Sequence, residues 1–174
     1  VQLLLIDTVN NGYKVETAEG FYFPVIDYAV YQKYSEQLPP DLVAYFEIMK
    51  VESDETPIKD AALVISWSEI FQRALRQEEF LKQYPNSSQF KAVKTLLKRY
   101  LTFALYGANN TPLFSYDTRQ MNPEAKEAFL QLSLDEKQGA FSHLIKGYLE
   151  VLEQSQYRLT SEVDVYRNKA EARF

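Results

Sequence analysis

Read as a sequence, this chain is a mainly α protein: five to seven helices in antiparallel hairpins, preceded by a small N-terminal β-hairpin or meander. Three observations predict that class. Apolar residues recur at helical spacing over most of the chain after Asp27. Helix-start signals stand just ahead of these runs, Ser66-Trp67-Ser68-Glu69 among them. Before Asp27 the pattern differs, with short β-prone runs broken by Asn10-Asn11-Gly12 and Gly20.

The 174 residues are expected to form one domain, 1–26 as a β-rich segment and 27–174 as a helical body. Hydrophobic residues make up 46% and charged ones 25%, the balance of a chain that folds. A net charge of −5 argues against bulk nucleic-acid binding, which needs cations to displace counterions from phosphates. It equally disfavours an anionic membrane as main partner. The absence of cysteine excludes disulfides, zinc–thiolate sites and cysteine nucleophiles. Residues 1–6 (VQLLLI) are too short to span a membrane. The chain begins with Val1 rather than Met, so a removed leader or upstream region is expected. A cysteine-free, tyrosine-rich chain fits an extracellular or cell-surface protein, with a cytoplasmic setting as the alternative.

The elements follow in order. Residues 3–9 and 13–17 flank Asn10-Asn11-Gly12, a strong hairpin signal because both central residues tolerate positive φ. Phe21–Ile26 reads as a further extended run, confined to an edge by Pro24. Val30, Tyr31, Tyr34 and Leu38 mark a short helix stopped by Pro39-Pro40, and a second begins near Asp41. Residues 52–60 (ESDETPIKD) read as a polar loop. The Ser66 capping box opens a helix to Tyr84 with Trp67, Ile70, Phe71, Ala74 and Leu75 on one face. Phe90, Val93, Leu97, Tyr100, Leu101 and Ala104 stripe the next, which stops near Gly107. After an aperiodic stretch, a helix starts at Pro123. Ser133-Leu134-Asp135-Glu136 reads as a second capping box, ahead of the cleanest amphipathic pattern, Phe141 to Leu152. Thr160 or Ser161 caps a last, charged helix.

Glu78-Glu79-Phe80-Leu81 recurs loosely as Glu127-Ala128-Phe129-Leu130, each followed by a Phe (Phe90, Phe141) opening a long helix. The offset of about 50 residues lies at the upper end for helical repeats. Phe80-Leu81-Lys82-Gln83-Tyr84-Pro85-Asn86-Ser87 also resembles the junction between tetratricopeptide-like units of exported bacterial proteins. The resemblance covers residues 66–106. It implies a helical hairpin of the kind that presents a binding surface.

No residue set stands out for catalysis. His143, the single histidine, sits beside an apolar stripe and reads as a surface residue. It has no second histidine or cysteine for a transition-metal site, so no metal or other cofactor is expected. No serine stands in a nucleophile elbow, and neither P-loop nor dinucleotide fingerprint occurs. Glu52, Asp54 and Glu55 lack the glycine and terminal glutamate of a calcium loop. Asp7, Asp27, Asp54, Asp60 and Asp117 fall in loops or at element ends, where capping explains them as well as catalysis does. Lys91, Lys94 and Lys98 form a basic stripe that reads as a solvated helix face.

Tyrosine is the compositional outlier, with 13 copies. Tyr13, Tyr22, Tyr28 and Tyr31 crowd the N-terminal region, and Tyr106 and Tyr116 flank the stretch 107–122. Tyrosine gives large contact area at small entropic cost, which suits recognition surfaces. The long stretch 107–122 is the expected site, with Asn109, Asn110, Thr111, Tyr116, Asp117 and Arg119 able to hydrogen-bond a sugar or a peptide backbone. The expected function is a non-catalytic binding domain for a protein or glycan partner. The alternatives are a carboxylate-based glycan hydrolase using Asp117 or Asp27, and a structural spacer. Asn86-Ser87-Ser88 and Asn109-Asn110-Thr111 match the glycosylation acceptor pattern, which is short and common.

Overall fold

Helix α1 (Gln2–Asn10) opens the chain in a computed structural model that describes residues 2–18, 20–133 and 139–174, with side chains from residue 5 onward. This corrects the strand expected over 3–9. Leu3-Leu4-Leu5-Ile6 is a contiguous apolar run without alternation, and such a run suits either state. The Asn11 backbone N–H donates to the Asp7 carbonyl at 3.1 Å, and its side-chain amide donates to the same oxygen at 2.7 Å. Asn10-Asn11-Gly12 therefore joins helix to strand. The hairpin is the next pair, β1 (Tyr13–Ala18) antiparallel to β2 (Phe21–Ile26), with Ala18 opposite Phe21 and Tyr13 opposite Ile26. Gly20 takes φ +79° at the turn, a conformation glycine adopts without a Cβ penalty. Pro24 is tolerated because a two-stranded ribbon has only edges.

The short helix expected after Asp27 is a 3-10 helix, Tyr28–Gln37. Asp27 caps it, Oδ1 accepting from the Ala29 N–H at 3.0 Å. Tyr28, Tyr31 and Tyr34 are spaced by three, so three residues per turn bring them onto one side. Tyr31 stacks on Phe46 with ring centroids 4.6 Å apart, and Tyr28 packs against Tyr45 and Phe46. Both partners belong to α2 (Pro40–Asp54), which extends into the expected polar loop. The rest of that loop makes β3 (Ile58–Lys59) and β4 (Ala62–Leu63), turned through Asp60 and Ala61, both at positive φ.

The body consists of α3 (Trp67–Gln83), α4 (Phe90–Tyr106), α5 (Pro123–Ser133), α6 (Ala140–Gln154) and α7 (Ser161–Arg173). Ser66 Oγ accepts from the Glu69 N–H at 3.1 Å, as a capping box requires. The Glu69 carboxylate, expected to reach back to Ser66, instead accepts from Arg73 Nε at 2.8 Å. At the turn after α3, Ser87 accepts from the Gln89 N–H and donates to Asp41 of α2 at 2.7 Å. The capping box expected over 133–136 falls largely outside the described residues. The start of α6 is capped from elsewhere: Glu78 Oε1 of α3 accepts from the Phe141 N–H at 2.7 Å, an anion at a helix N-terminus.

Helix α3 is the hub, packing on α4, α5 and α6, while α7 closes over α4 and α6. Phe71 meets Phe129 edge-on at 4.9 Å, and Phe129 meets Tyr148 at 5.9 Å. Tyr100, Leu101, Leu113, Ile145 and Leu152 fill the remaining centre. Asn122 Oδ1 caps α5 by accepting from Glu124 and Ala125. The described residues hold seven α-helices, one 3-10 helix and three two-stranded ribbons, so the chain is mainly α as its periodicity predicts. The two expected hairpins, α3/α4 and α5/α6, meet through α3. Among the described residues, no helix is long and apolar enough to cross a membrane.

Candidate functional site: the cleft between α2 and α3

The stretch 107–122 contains structure that its sequence hides. α4 ends at Gly107, whose φ is +76°. A Cβ there would collide with the Thr111 carbonyl oxygen and the Leu113 nitrogen, so only glycine lets the chain double back. The result is a ribbon, β5 (Gly107–Ala108) paired with β6 (Thr111–Pro112). Its tip docks on the β3/β4 tip. The Asn110 N–H donates to the Ala61 carbonyl at 2.9 Å, and its side-chain amide donates to the Asp60 carbonyl at 2.7 Å. Thr111 Oγ1 accepts from the Leu63 N–H at 3.1 Å.

Asn109, Asn110, Thr111 and Tyr116 are thus brought together, with the Tyr116 hydroxyl donating to the Asn109 carbonyl at 3.1 Å. Tyr116 is nonetheless 75% exposed. Asp117 and Arg119 lie on an exposed turn, where Arg119 takes φ +57° and its carbonyl accepts from the Leu159 N–H. The polar groups of Asn110 and Thr111 join one ribbon to another. Asp27, the other carboxylate of the hydrolase alternative, caps the 3-10 helix. His143, Lys91, Lys94 and Lys98 are exposed, as expected.

A cleft of about 510 Å³ lies elsewhere, between α2 and α3. That is within the size range of small-ligand sites. One face of α2 supplies Ala44, Glu47, Ile48, Val51 and Glu52, at helical spacing. One face of α3 supplies Arg73, Arg76, Gln77 and Phe80 by the same rule, and Tyr84 follows at its C-terminal cap. Ile48, Phe80 and Val93 form a small second core beneath it, with Ala44, Tyr45, Tyr84 and Leu96 packed around. α3 can serve two layers because its buried residues go more than halfway round it, Phe71 and Ala74 toward the main core and Phe80 toward the cleft.

One end of the cleft is a charged network. Arg73, only 3% exposed, donates from Nε to Glu69 at 2.8 Å and from Nη1 to the Glu55 carbonyl at 2.8 Å. Its guanidinium also stands 3.8 Å from Glu52 and 3.5 Å from the Glu55 carboxylate. The Tyr100 hydroxyl of α4 donates to Glu52 Oε1 at 2.5 Å. Burial would lower the Arg73 guanidinium, but Glu69, Tyr100 and Glu52 outweigh it and hold it above its ordinary value. Burial raises the Glu52 carboxyl, against the opposing pull of the Tyr100 hydroxyl and Arg73. Burial and the Glu52 charge raise the Tyr100 phenol, which keeps it a neutral donor.

Gln77 lines the same cleft at 1% exposure, and neither its Nε2 nor its Oε1 has a protein partner. Leaving a buried polar group unpaired costs about 1–3 kcal/mol. Among the described residues Ser142, Tyr148 and Arg167 also carry an unpartnered buried atom each, but Gln77 carries two and lines the cleft. Periodicity does not single Gln77 out. The available signal is the row Arg73, Gln77, Phe80, Tyr84 at i, i+4, i+7, i+11, a second stripe on a helix whose main stripe is already assigned.

Comparisons with known proteins find no match: no family model, no curated protein and no solved structure is significantly similar to this chain.

Proposed function

We propose that this chain is a non-catalytic binding domain, in an exported or cell-surface protein, whose ligand seat is the α2/α3 cleft. The observation that carries the reading is the cleft itself, of ligand size, with an apolar lining that runs into the polar network of Arg73 and Glu52. The apolar lining of Ala44, Ile48, Val51 and Phe80 adds contact area without demanding one shape. For export the support is compositional, a cysteine-free and tyrosine-rich chain.

The competing hydrolase reading has Glu52 as its best acid, since burial raises it. That carboxyl is already engaged by Tyr100 and Arg73, which favours a structural role over proton transfer. The stretch 107–122 remains a second binding surface through exposed Tyr116, Asp117 and Arg119.

A library of neutral fragments screened by NMR against the labelled domain tests the assignment. Hits should perturb the amides of Ile48, Val51, Gln77 and Phe80 and vanish in Ala44→Trp, which fills the cleft from α2. Hits that converge on Tyr116 to Arg119 and survive Ala44→Trp would move the site to that stretch.

A further inference from the structure

We infer that the cleft seats helix α1 of a second copy of this chain, the two copies exchanging α1 reciprocally in a two-fold dimer. The inference rests on the cleft being a binding seat and names its occupant. Helix α1 carries Leu5, Ile6 and Val9 within an arc of about 100°, the width of a core-facing stripe. They are 40%, 53% and 62% exposed, and none of the α1 side chains described from residue 5 onward is buried. A nine-residue helix is too short to hold its shape in water by propensity alone, so the stripe needs cover. Asp7, the one charged residue of α1, falls on the side away from the stripe, so seating the stripe buries no charge.

The cleft is the matching surface. Ala44, Ile48, Val51, Leu75 and Phe80 give it an apolar wall. A cavity of about 150 Å³ holds one benzene-sized group, so about 510 Å³ has room for roughly three. Leu5, Ile6 and Val9 supply that number. The chain's own α1 is held elsewhere. It packs mainly on β1, and the turn after it is fixed by the Asn11 and Gly12 N–H groups, which donate to the carbonyls of Asp7, Thr8 and Val9. Lys14 then ties β1 to Asp54 at the end of α2. A second molecule carries no such tether to this cleft. Each copy has one stripe and one cleft, so mutual exchange fills both and closes the assembly. One-way seating would instead propagate an open fibre.

Sedimentation equilibrium should show a mass that rises with concentration from 20.3 kDa toward twice that value. Ile6→Asp puts a charge on the stripe and should weaken association at least about 100-fold, while the melting transition of the dilute protein stays where it is. Ala44→Trp should weaken it from the cleft side. Because the chain has no cysteine, Asn10→Cys accepts a single spin label. A spin-labelled copy at natural isotope abundance, mixed with a nitrogen-15-labelled wild-type copy, should broaden the amides of Ile48, Val51 and Phe80 in that copy. Neutral fragments that enter the cleft should reverse the broadening. A chain that stays monomeric at millimolar concentration overturns the inference. So does a dimer untouched by Ile6→Asp, or one whose label broadens signals outside the cleft. Cleft broadening confined to the molecule that carries the label gives α1 to its own cleft and overturns the exchange. In each of these failures, fragments that still shift the cleft preserve it as a seat; if fragments fail there too, the seat itself falls.

Discussion

The helical body and the N-terminal segment are built by different means. In the body, α3 to α7 enclose residues with no accessible surface, such as Ile70, Leu101, Tyr148 and Val163. Among the described residues, none before Ile48 is buried. The N-terminal segment rests on the ring cluster of Tyr28, Tyr31, Tyr45 and Phe46 and on two ion pairs, Lys14 with Asp54 and Lys59 with Glu16, each at 2.6 Å. Phe21 and Tyr22 on β2 are 74% and 80% exposed. Exposed ion pairs contribute roughly 0–1 kcal/mol, whereas a buried leucine contributes several times that. Opening free energies therefore differ along one chain, and the segment is the low end. Helix α2 belongs to both regions, with one face on the tyrosine cluster and the other on the cleft.

The largest expected effect that would sharpen this contrast is in the body. Leu101→Ala removes a side chain with no exposure and should cost about 3 kcal/mol, lowering Tm by roughly 10 °C for a chain of this length. Circular dichroism melting measures it. A loss under about 1 kcal/mol would mean that the body is looser than its packing implies. Next comes Phe46→Ala, which deletes the ring on which Tyr31 stacks. It should speed limited proteolysis between Tyr28 and Gln37 several-fold while the main melting transition moves by less than that of Leu101→Ala. A shift of equal size would break the contrast, because the two regions would then unfold as one unit.

The smallest effect lies at the junction, where Glu52 of α2 meets Tyr100 and Arg73. Its carboxyl is raised in the folded state, so its contribution is most favourable below the unfolded value near 4.5 and is lost as pH rises through the raised folded value. Glu52→Gln keeps an acceptor for the Tyr100 hydroxyl and should flatten that part of the stability–pH curve, read from urea midpoints across pH 4 to 8. A steeper decline in the variant would show that the charge, not its burial, dominates at this position.

The sequence was legible where local physics decides alone. The 3.6-residue stripes from Trp67 to Tyr106 and from Phe141 to Leu152 became helices, and Ser66 capped where its spacing places it. It was least legible where an apolar run carries no period, as at residues 3–6, which folded into α1 instead of a strand. The site residues divide the same way. Asn110 and Thr111 look like free hydrogen-bonding groups until the β3/β4 tip arrives beside them from some 50 residues earlier.

By itself, the sequence determined the helical class, the main stripes, the positions of most turns and the lack of any cysteine or histidine pair for metal chemistry. Periodicity and residue type act within a turn or two of chain, and composition does not depend on folding at all. Only the tertiary structure decided that Glu78 caps α6, that Arg73 gathers Glu52 and Tyr100, and that Gln77 stays unpaired beside a cleft. Each of these depends on which helix faces lie against one another. A helix face is visible in sequence, but its partner is chosen by packing across tens of residues.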